Sequence, residues 1–303
     1  MNNIKISTNK MLHTLLFMND KDIKSKTIYN ADKQLVEEYY IQKTYEDTTG
    51  SKYTIKLSST DKNNLSFTID EVYLYLILLM NAITSNDEDY HISFRKIRAI
   101  RELRADSTAT YDRHFRALER LLNKKVTITP IKMKYQMDLI VSSPLLKSCS
   151  STKSRCKISD VQYEFDKFGN MMLKSKQIAT SKINIFKYSL KQDYSFQVCL
   201  YLIRNIFMNS KKNEVRNCSF QHMLKCCLRY TKDGFLTGAT YYDYISTLAN
   251  KQSEYLSKCY KDTICILNEL KKYKMIKGYK ISQRKSFKYL RDNEVELTLY
   301  FYR

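Results

Sequence analysis

Tryptophan is missing from this chain of 303 residues, and proline (2) and glycine (5) are nearly so. Scarce turn-formers disfavour an all-β fold built on tight turns and fit long helices. Long apolar runs are lacking too. No window approaches the roughly 18 apolar residues of a membrane span. The start, MNNIKISTNKMLHTLLFMND, has an apolar run too short for a secretory signal. These absences point to a cytoplasmic protein with no membrane partner. No G-x4-G-K-[ST] loop for nucleotide phosphates occurs, and the four histidines (13, 91, 114, 222) are too far apart for a His-x-His metal pair. Enzyme signatures are therefore missing, and no cofactor or metal is expected. Asp87-Glu88-Asp89 reads as a solvated loop. Cys218-x3-His222-x3-Cys226-Cys227 lacks a second tight ligand pair and reads as buried thiols beside a surface histidine rather than zinc ligands.

Acidic residues are also short. Lys and Arg number 52 against 31 Asp and Glu, a formal net charge of +21. An excess that large suggests a polyanionic partner. It is unevenly placed: residues 1–90 carry a net −3, residues 91–150 +8 and residues 151–303 +16. A charge serving only solubility would spread more evenly. The chain is 43% hydrophobic, enough to bury a core in one large or two ordinary domains. Its eight cysteines are scattered, several at apolar helix positions such as Cys199 and Cys265, and read as reduced, buried thiols.

Periodicity sets the organisation. Residues 40–57, YIQKTYEDTTGSKYTIKL, alternate around DTTG as a β-hairpin. Residues 69–83, IDEVYLYLILLMNAI, predict a buried helix with Asp70 as its cap. ISFRKIRAIREL (92–103) is a short basic helix, ADS (105–107) a turn and Ser107 a cap. TATYDRHFRALERLLN (108–123) is the clearest helix, with Tyr111, Phe115, Leu118 and Leu122 on one face. Arg113, Arg116, Ala117 and Arg120 form another face that lacks acidic partners, with Asp112 and Glu119 placed off it. KKVTITP and YQMDLIVSSPLL then read as strands. The order is that of a winged helix-turn-helix, in which the third helix fits the major groove and the wing straddles phosphates.

The pattern recurs. VYLYLI (72–77) is echoed by VCLYLI (198–203), and SFQVCLYLIRNIFM (195–208) predicts a second buried helix. CSFQHMLKCCLRY (218–230) matches the short helix, with Phe220 placed like Phe94. A shift of 149 residues superposes Tyr111 on Tyr260, Phe115 on Ile264, Leu118 on Leu267, Leu121 on Leu270 and Lys125-Val126 on Lys274-Met275. VELTLYFYR (295–303) closes the second wing. The stretch 142–157 is either an interdomain linker or the first wing's tip. Its Ser-rich run with Lys147, Lys153, Arg155 and Lys157 favours the tip, flanked by LIVSSPLL and ISDVQYEF.

With Tyr194, Val198, Leu200, Tyr201 and Leu202 opening the second unit, and ILNELKKYKMIKGYKISQRKS late in the chain, the sequence resembles the replication initiators of iteron-bearing plasmids over roughly residues 66–303. It departs from that family's pattern at Gln197, where an arginine is often expected, and at Cys199. The resemblance implies binding of double-stranded DNA at origin direct repeats, help from host replication proteins, and an equilibrium between a homodimer and a monomer. In that family segments like the acidic-to-neutral residues 1–66 support dimer contacts.

The expected fold class is therefore α+β, mainly helical, with two tandem winged helix-turn-helix domains. Residues 1–178 hold an N-terminal extension and the first domain (core about 66–170), and 179–303 hold the second. The DNA-facing candidates in the first domain are Arg95, Lys96, Arg98, Thr108, Thr110, Arg113, Arg116, Arg120, Lys124, Lys153 and Arg155. In the second, the positions matching Arg113, Arg116, Ala117 and Arg120 are Asp262, Cys265, Ile266 and Glu269, so contact is expected from the helix start (Lys251, Ser257, Lys258, Lys261) and the wing (Lys277, Lys280, Arg284, Lys285, Lys288). Two other readings stand beside the initiator. A transcriptional regulator would bind a palindromic site as a stable dimer. A nicking or recombining enzyme would use a tyrosine nucleophile that nothing singles out among 25 tyrosines.

Overall fold

The computed structural model describes all residues except 1–2, 19–22, 30–31, 47–49, 86–89, 104–107, 133–140, 155–156, 176, 211–214, 283–294 and 303. The expected loop at Asp87–Asp89, the turn 105–107 with its cap Ser107, and Arg155, Arg284, Lys285 and Lys288 lie wholly or partly outside the described residues. The chain divides into two compact units. The first is Ser7–Ile178 with Gly234–Leu236, and the second is Met1–Ile6, Ala179–Asp233 and Thr237–Arg303.

The elements follow in order as β1 (Ile4–Ser7), α1 (Lys10–Leu16), β2 (Lys24–Tyr29), β3 (Leu35–Glu46), β4 (Lys52–Ser59), α2 (Ile69–Thr84), β5 (Tyr90–Ser93), α3 (Phe94–Ile100), α4 (Thr108–Leu122), β6 (Lys125–Lys132), β7 (Val141–Pro144), β8 (Leu146–Ser154), β9 (Lys157–Phe165) and α5 (Lys167–Lys174). The second half continues with β10 (Ile178–Ser181), α6 (Asp193–Ser210), β11 (Arg216–Ser219), α7 (Phe220–Cys226), β12 (Leu228–Tyr230), β13 (Leu236–Thr240), α8 (Tyr241–Ser246), α9 (Gln252–Lys272), β14 (Gly278–Ile281) and β15 (Glu296–Tyr300). Strand is abundant beside helix, so the fold is mixed α/β, with helix only modestly ahead of strand. Among the described residues no helix is long and apolar enough to cross a membrane.

In the first unit α2 is the core. Val72 through Leu79 are almost wholly excluded from solvent, each apolar side chain contributing about 1.5–3 kcal/mol by burial. Its cap is Thr68, not Asp70. The Thr68 hydroxyl accepts from the Glu71 amide, and the Glu71 carboxylate accepts in return from the Thr68 amide, a reciprocal capping box. α3 is capped by Ser93, which accepts from the Lys96 amide. The strands β5, β9 and β8 form an antiparallel sheet in that order. Tyr163 pins β9 to α2, its hydroxyl donating to the Leu78 carbonyl at 2.9 Å and accepting from Asn81 Nδ2 at 3.0 Å.

A five-stranded sheet, β2-β3-β4-β6-β7, accompanies this arrangement. The β3–β4 hairpin is the one expected at 40–57, with Glu46 opposite Lys52 and Gly50 at φ +85° in its turn. KKVTITP is a strand as expected, but not a wing strand. As β6 it pairs with β4 and β7. The hairpin in the place expected for the wing is β8–β9, so its first strand is 146–154 rather than LIVSSPLL, and residues 155–156 between the two strands lie outside the described residues.

The second unit repeats the first unit's core order: long helix α6, strand β11, short helix α7, long helix α9, then β14 and β15. Its sheet is β11-β15-β14. In both sheets the last strand lies between the other two. The caps match, since Ser219 accepts from the His222 amide at the start of α7 as Ser93 does in α3. The aromatic contacts match too. Phe94 and Tyr111 have ring centroids 5.6 Å apart, and Phe220 and Tyr260 5.7 Å. Residues expected to end the short helix, 228–230, are instead β12. With β13 and α8 it fills the extra length between the second unit's short and long helices. Gln197, the departure from the plasmid-initiator pattern, joins α6 to β12. Its Nε2 donates to the Leu228 carbonyl at 2.7 Å, and its Oε1 accepts from the Leu228 amide at 2.8 Å.

Candidate nucleic-acid interface

The long helices α4 and α9 each turn one stripe to the core. Ala117, Leu118 and Leu121 are buried on α4, as are Ile266, Leu267 and Leu270 on α9. What remains outward differs from the expected basic face. On α4, Arg113 and Arg120 lie on the side that meets the start of α2. Arg113 donates from Nε and Nη2 to Asp70 Oδ2 at 3.0 and 2.6 Å. Arg120 Nε donates to Glu71 Oε1 at 2.8 Å, and its Nη2 reaches the Asn63 and Ser66 carbonyls. The face therefore has acidic partners, supplied by another helix. Arg113 keeps a side chain 57% exposed, whereas that of Arg120 is 21% exposed.

Lys124, expected to face DNA, is enclosed instead. Its side chain is fully buried, with Nζ 2.8 Å from Glu71 Oε1 and 2.9 Å from Asn64 Oδ1. An ammonium so enclosed has no surface to offer a phosphate. Burial lowers its pKa to about 8, against the raising effect of Glu71. Arg120 is likewise committed inward. Arg116 is exposed and makes no hydrogen bond or ion pair among the described residues. Asp112 and Glu119, expected off-face, share its exposed stripe at helical spacing, with Asn123 beyond. The outward stripe of α4 is thus close to neutral.

Around Asp70 the charges interlock. Arg101, 6% exposed, donates from Nη1 to Asp70 Oδ1 at 2.8 Å and lies over the Tyr73 ring at 4.8 Å. Burial alone would raise the Asp70 pKa, but Arg101 and Arg113 outweigh it and leave it lowered. His114 Nδ1 lies 2.6 Å from the Thr110 carbonyl and its Nε2 is 3.1 Å from Arg101 Nη1. Burial and then Arg101 lower its pKa to about 4, so the ring is neutral at pH 7, donating from Nδ1 and accepting at Nε2.

On α3, Arg95 and Lys96 are exposed and Arg98 half-buried. Lys96 Nζ donates to Asn81 Oδ1 at 2.7 Å. The side chains of Thr108 and Lys153 are outside the described residues, though both backbones are placed, at the start of α4 and near the β8–β9 tip.

α9 reverses the expectation that its helix face is the poorer one. Glu254, Lys258, Lys261, Cys265, Asn268 and Lys272 follow one another at spacings of three and four, and all are exposed. This stripe carries three cations and one acid. The positions compared at first, Asp262, Ile266 and Glu269, are half-buried or buried, and Glu269 pairs with Lys187. Of the helix-start candidates, Lys251, Lys258 and Lys261 are exposed and Ser257 half-buried. Tyr279 donates from its hydroxyl to Asn268 Oδ1 at 2.7 Å. On the β14 side, Lys277 and Lys280 are exposed, and Lys280 lies over the Tyr300 ring. Cys265, expected to be buried, is exposed on this stripe, as is Cys226 on α7. Cys218 and Cys227 are buried while His222 is exposed, and among the described residues no group of three His, Cys, Asp or Glu could hold a metal.

Asp70, Glu71 and Arg101 are the residues that sequence reasoning missed. A signal existed: two acids at the head of an otherwise apolar helix need partners once buried.

No protein-family profile matches the chain, and no curated protein matches it. Solved structures match over most of its length. A crystal structure of RctB domains 2-3 (RctB-155-483) is 11% identical with a TM-score of 0.51, covering 97% of this chain and 97% of that chain. A crystal structure of selenomethionine derivatives of domain 2 and domain 3 of RctB is 10% identical with a TM-score of 0.53, covering 86% and 91%. The likeness is one of fold.

Proposed function

We propose that this chain is a sequence-specific double-stranded DNA-binding protein with two winged helix-turn-helix units, acting at repeated origin sites to initiate plasmid replication. The observation that carries the reading is the twofold recurrence of one topology: long helix, strand, short helix, long helix, two strands, with the last strand central in each sheet. That topology suits a third helix in the major groove beside a β-hairpin on the phosphates. The charge supports it, with +21 overall and exposed cations on α9. The sequence resemblance to plasmid initiators supplies the replication half, including host replication proteins and a monomer–dimer equilibrium. The mechanism is binding and local distortion of the duplex in the cytoplasm, without catalysis.

Selection of bound duplexes from a random pool, at about physiological salt where non-specific binding is suppressed, tests the reading. One asymmetric motif of roughly two helical turns is expected. Recovery of no motif overturns it.

A further inference from the structure

We infer that Arg113 reads a guanine in the major groove and that Asp70 is the positioning residue that aims it. The inference rests on the DNA-binding reading above and names a contact within it. Arg113 stands in the first half of α4 with its side chain 57% exposed. Its Nε and Nη2 both point at Asp70 Oδ2, so one edge of the guanidinium is occupied. The edge formed by Nη1 and the second Nη2 hydrogen is left over. That edge has the geometry to donate to guanine O6 and N7 together. The carboxylate is itself fixed, because its other oxygen accepts from Arg101, a cation that is 6% exposed and stacked on Tyr73. A flexible side chain is thereby held in one orientation before DNA arrives, which reduces the ordering cost of binding. A phosphate contact would need no such aiming, and a carboxylate beside a phosphate is repulsive. Base reading is the use that fits an arginine with an acid at its back.

The test measures binding to the selected site and to every single base-pair substitution of it, for the wild type, Arg113→Lys and Asp70→Asn. Lysine keeps the charge and loses the fork. Asparagine keeps an acceptor for Arg101 and loses the charge. The wild type should prefer G·C at one position by about tenfold or more. Arg113→Lys should abolish the preference at that position and leave the others intact. Asp70→Asn should weaken the same preference while tightening binding to random duplex, since one negative charge near the DNA is gone. A merely structural role for Asp70 would not move one base position and raise non-specific affinity together. The inference is overturned if all base preferences survive both changes, or if Arg113→Lys weakens every sequence equally. Should Asp70→Asn fail to fold, Arg113→Lys decides alone, because its side chain is largely in solvent. A wild type that selects no motif overturns the DNA-binding reading with it. A wild type that selects a motif indifferent to Arg113 overturns only the guanine contact.

Discussion

Lys124 Nζ lies 2.8 Å from Glu71 Oε1, with both side chains fully buried. The pair joins the end of α4 to the start of α2, and Arg120 Nε shares the same oxygen at 2.8 Å. Removing the common partner leaves two cations without their acid. Glu71→Ala should therefore lose about 3–5 kcal/mol. Lys124→Met should lose less, because Arg120 still compensates Glu71. Urea titration of the purified variants ranks the two, and equal losses would show that Arg120 does not share the charge.

The pair also explains what the sequence hid. The repeat was legible, because apolar spacing and the Phe94 and Phe220 positions depend only on local order. Which stripe of α4 faces outward was not. Arg113, Arg116 and Arg120 lie within two turns of helix, and spacing alone cannot say that Asp70 and Glu71, some forty to fifty residues earlier, pair with two of them, enclosing Arg120 and leaving Arg113 largely exposed. In α9 Lys258 and Lys261 are exposed and in no ion pair among the described residues, though the half-buried Asp262 feels the charge of Lys258. The alternation in KVTITP likewise announced a strand and not its neighbour. β6 pairs with β4 because Val126 and Ile128 are buried in register with Leu57 and Ile55, a choice made by long-range packing.

The equivalent contacts Phe94–Tyr111 and Phe220–Tyr260 seat the short helix on the long one in each unit. Both phenylalanines are 1% exposed. Phe94→Ala and Phe220→Ala should each cost about 3–5 kcal/mol. Hydrogen exchange should report the first loss on α3 and α4 and the second on α7 and α9. A loss confined to one unit in both variants would break the equivalence.

His114 links stability to acidity. Its folded pKa is lowered from 6.5 to about 4, so the unfolded chain binds the extra proton between those values. Stability from this group is complete above about 6.5 and is lost as pH falls toward 4, on the order of 3 kcal/mol in all. Asp70, with its pKa also lowered, acts in the same direction but only below its ordinary value of about 3.8, beneath the His114 window. Melting temperatures taken from pH 7 to pH 4.5 should fall steeply for the wild type and less steeply for His114→Gln. Parallel curves would show that His114 is not the source of the acid sensitivity.

The outward lysines of α9 make the last prediction, which separates charge that reaches DNA from charge that does not. Each phosphate neutralised contributes about 0.9 to the slope of log K against log salt. Lys258 and Lys261 are exposed one turn apart on the stripe that faces away from the core. Lys258→Ala and Lys261→Ala should each lower the slope by about 1 and weaken random and selected duplexes alike. Lys124→Met removes the same charge from a fully buried site, so in folded protein it should leave the slope unchanged. Fluorescence anisotropy on one duplex across a salt series measures all three. A slope left unchanged by both α9 substitutions would show that this stripe does not meet the phosphates.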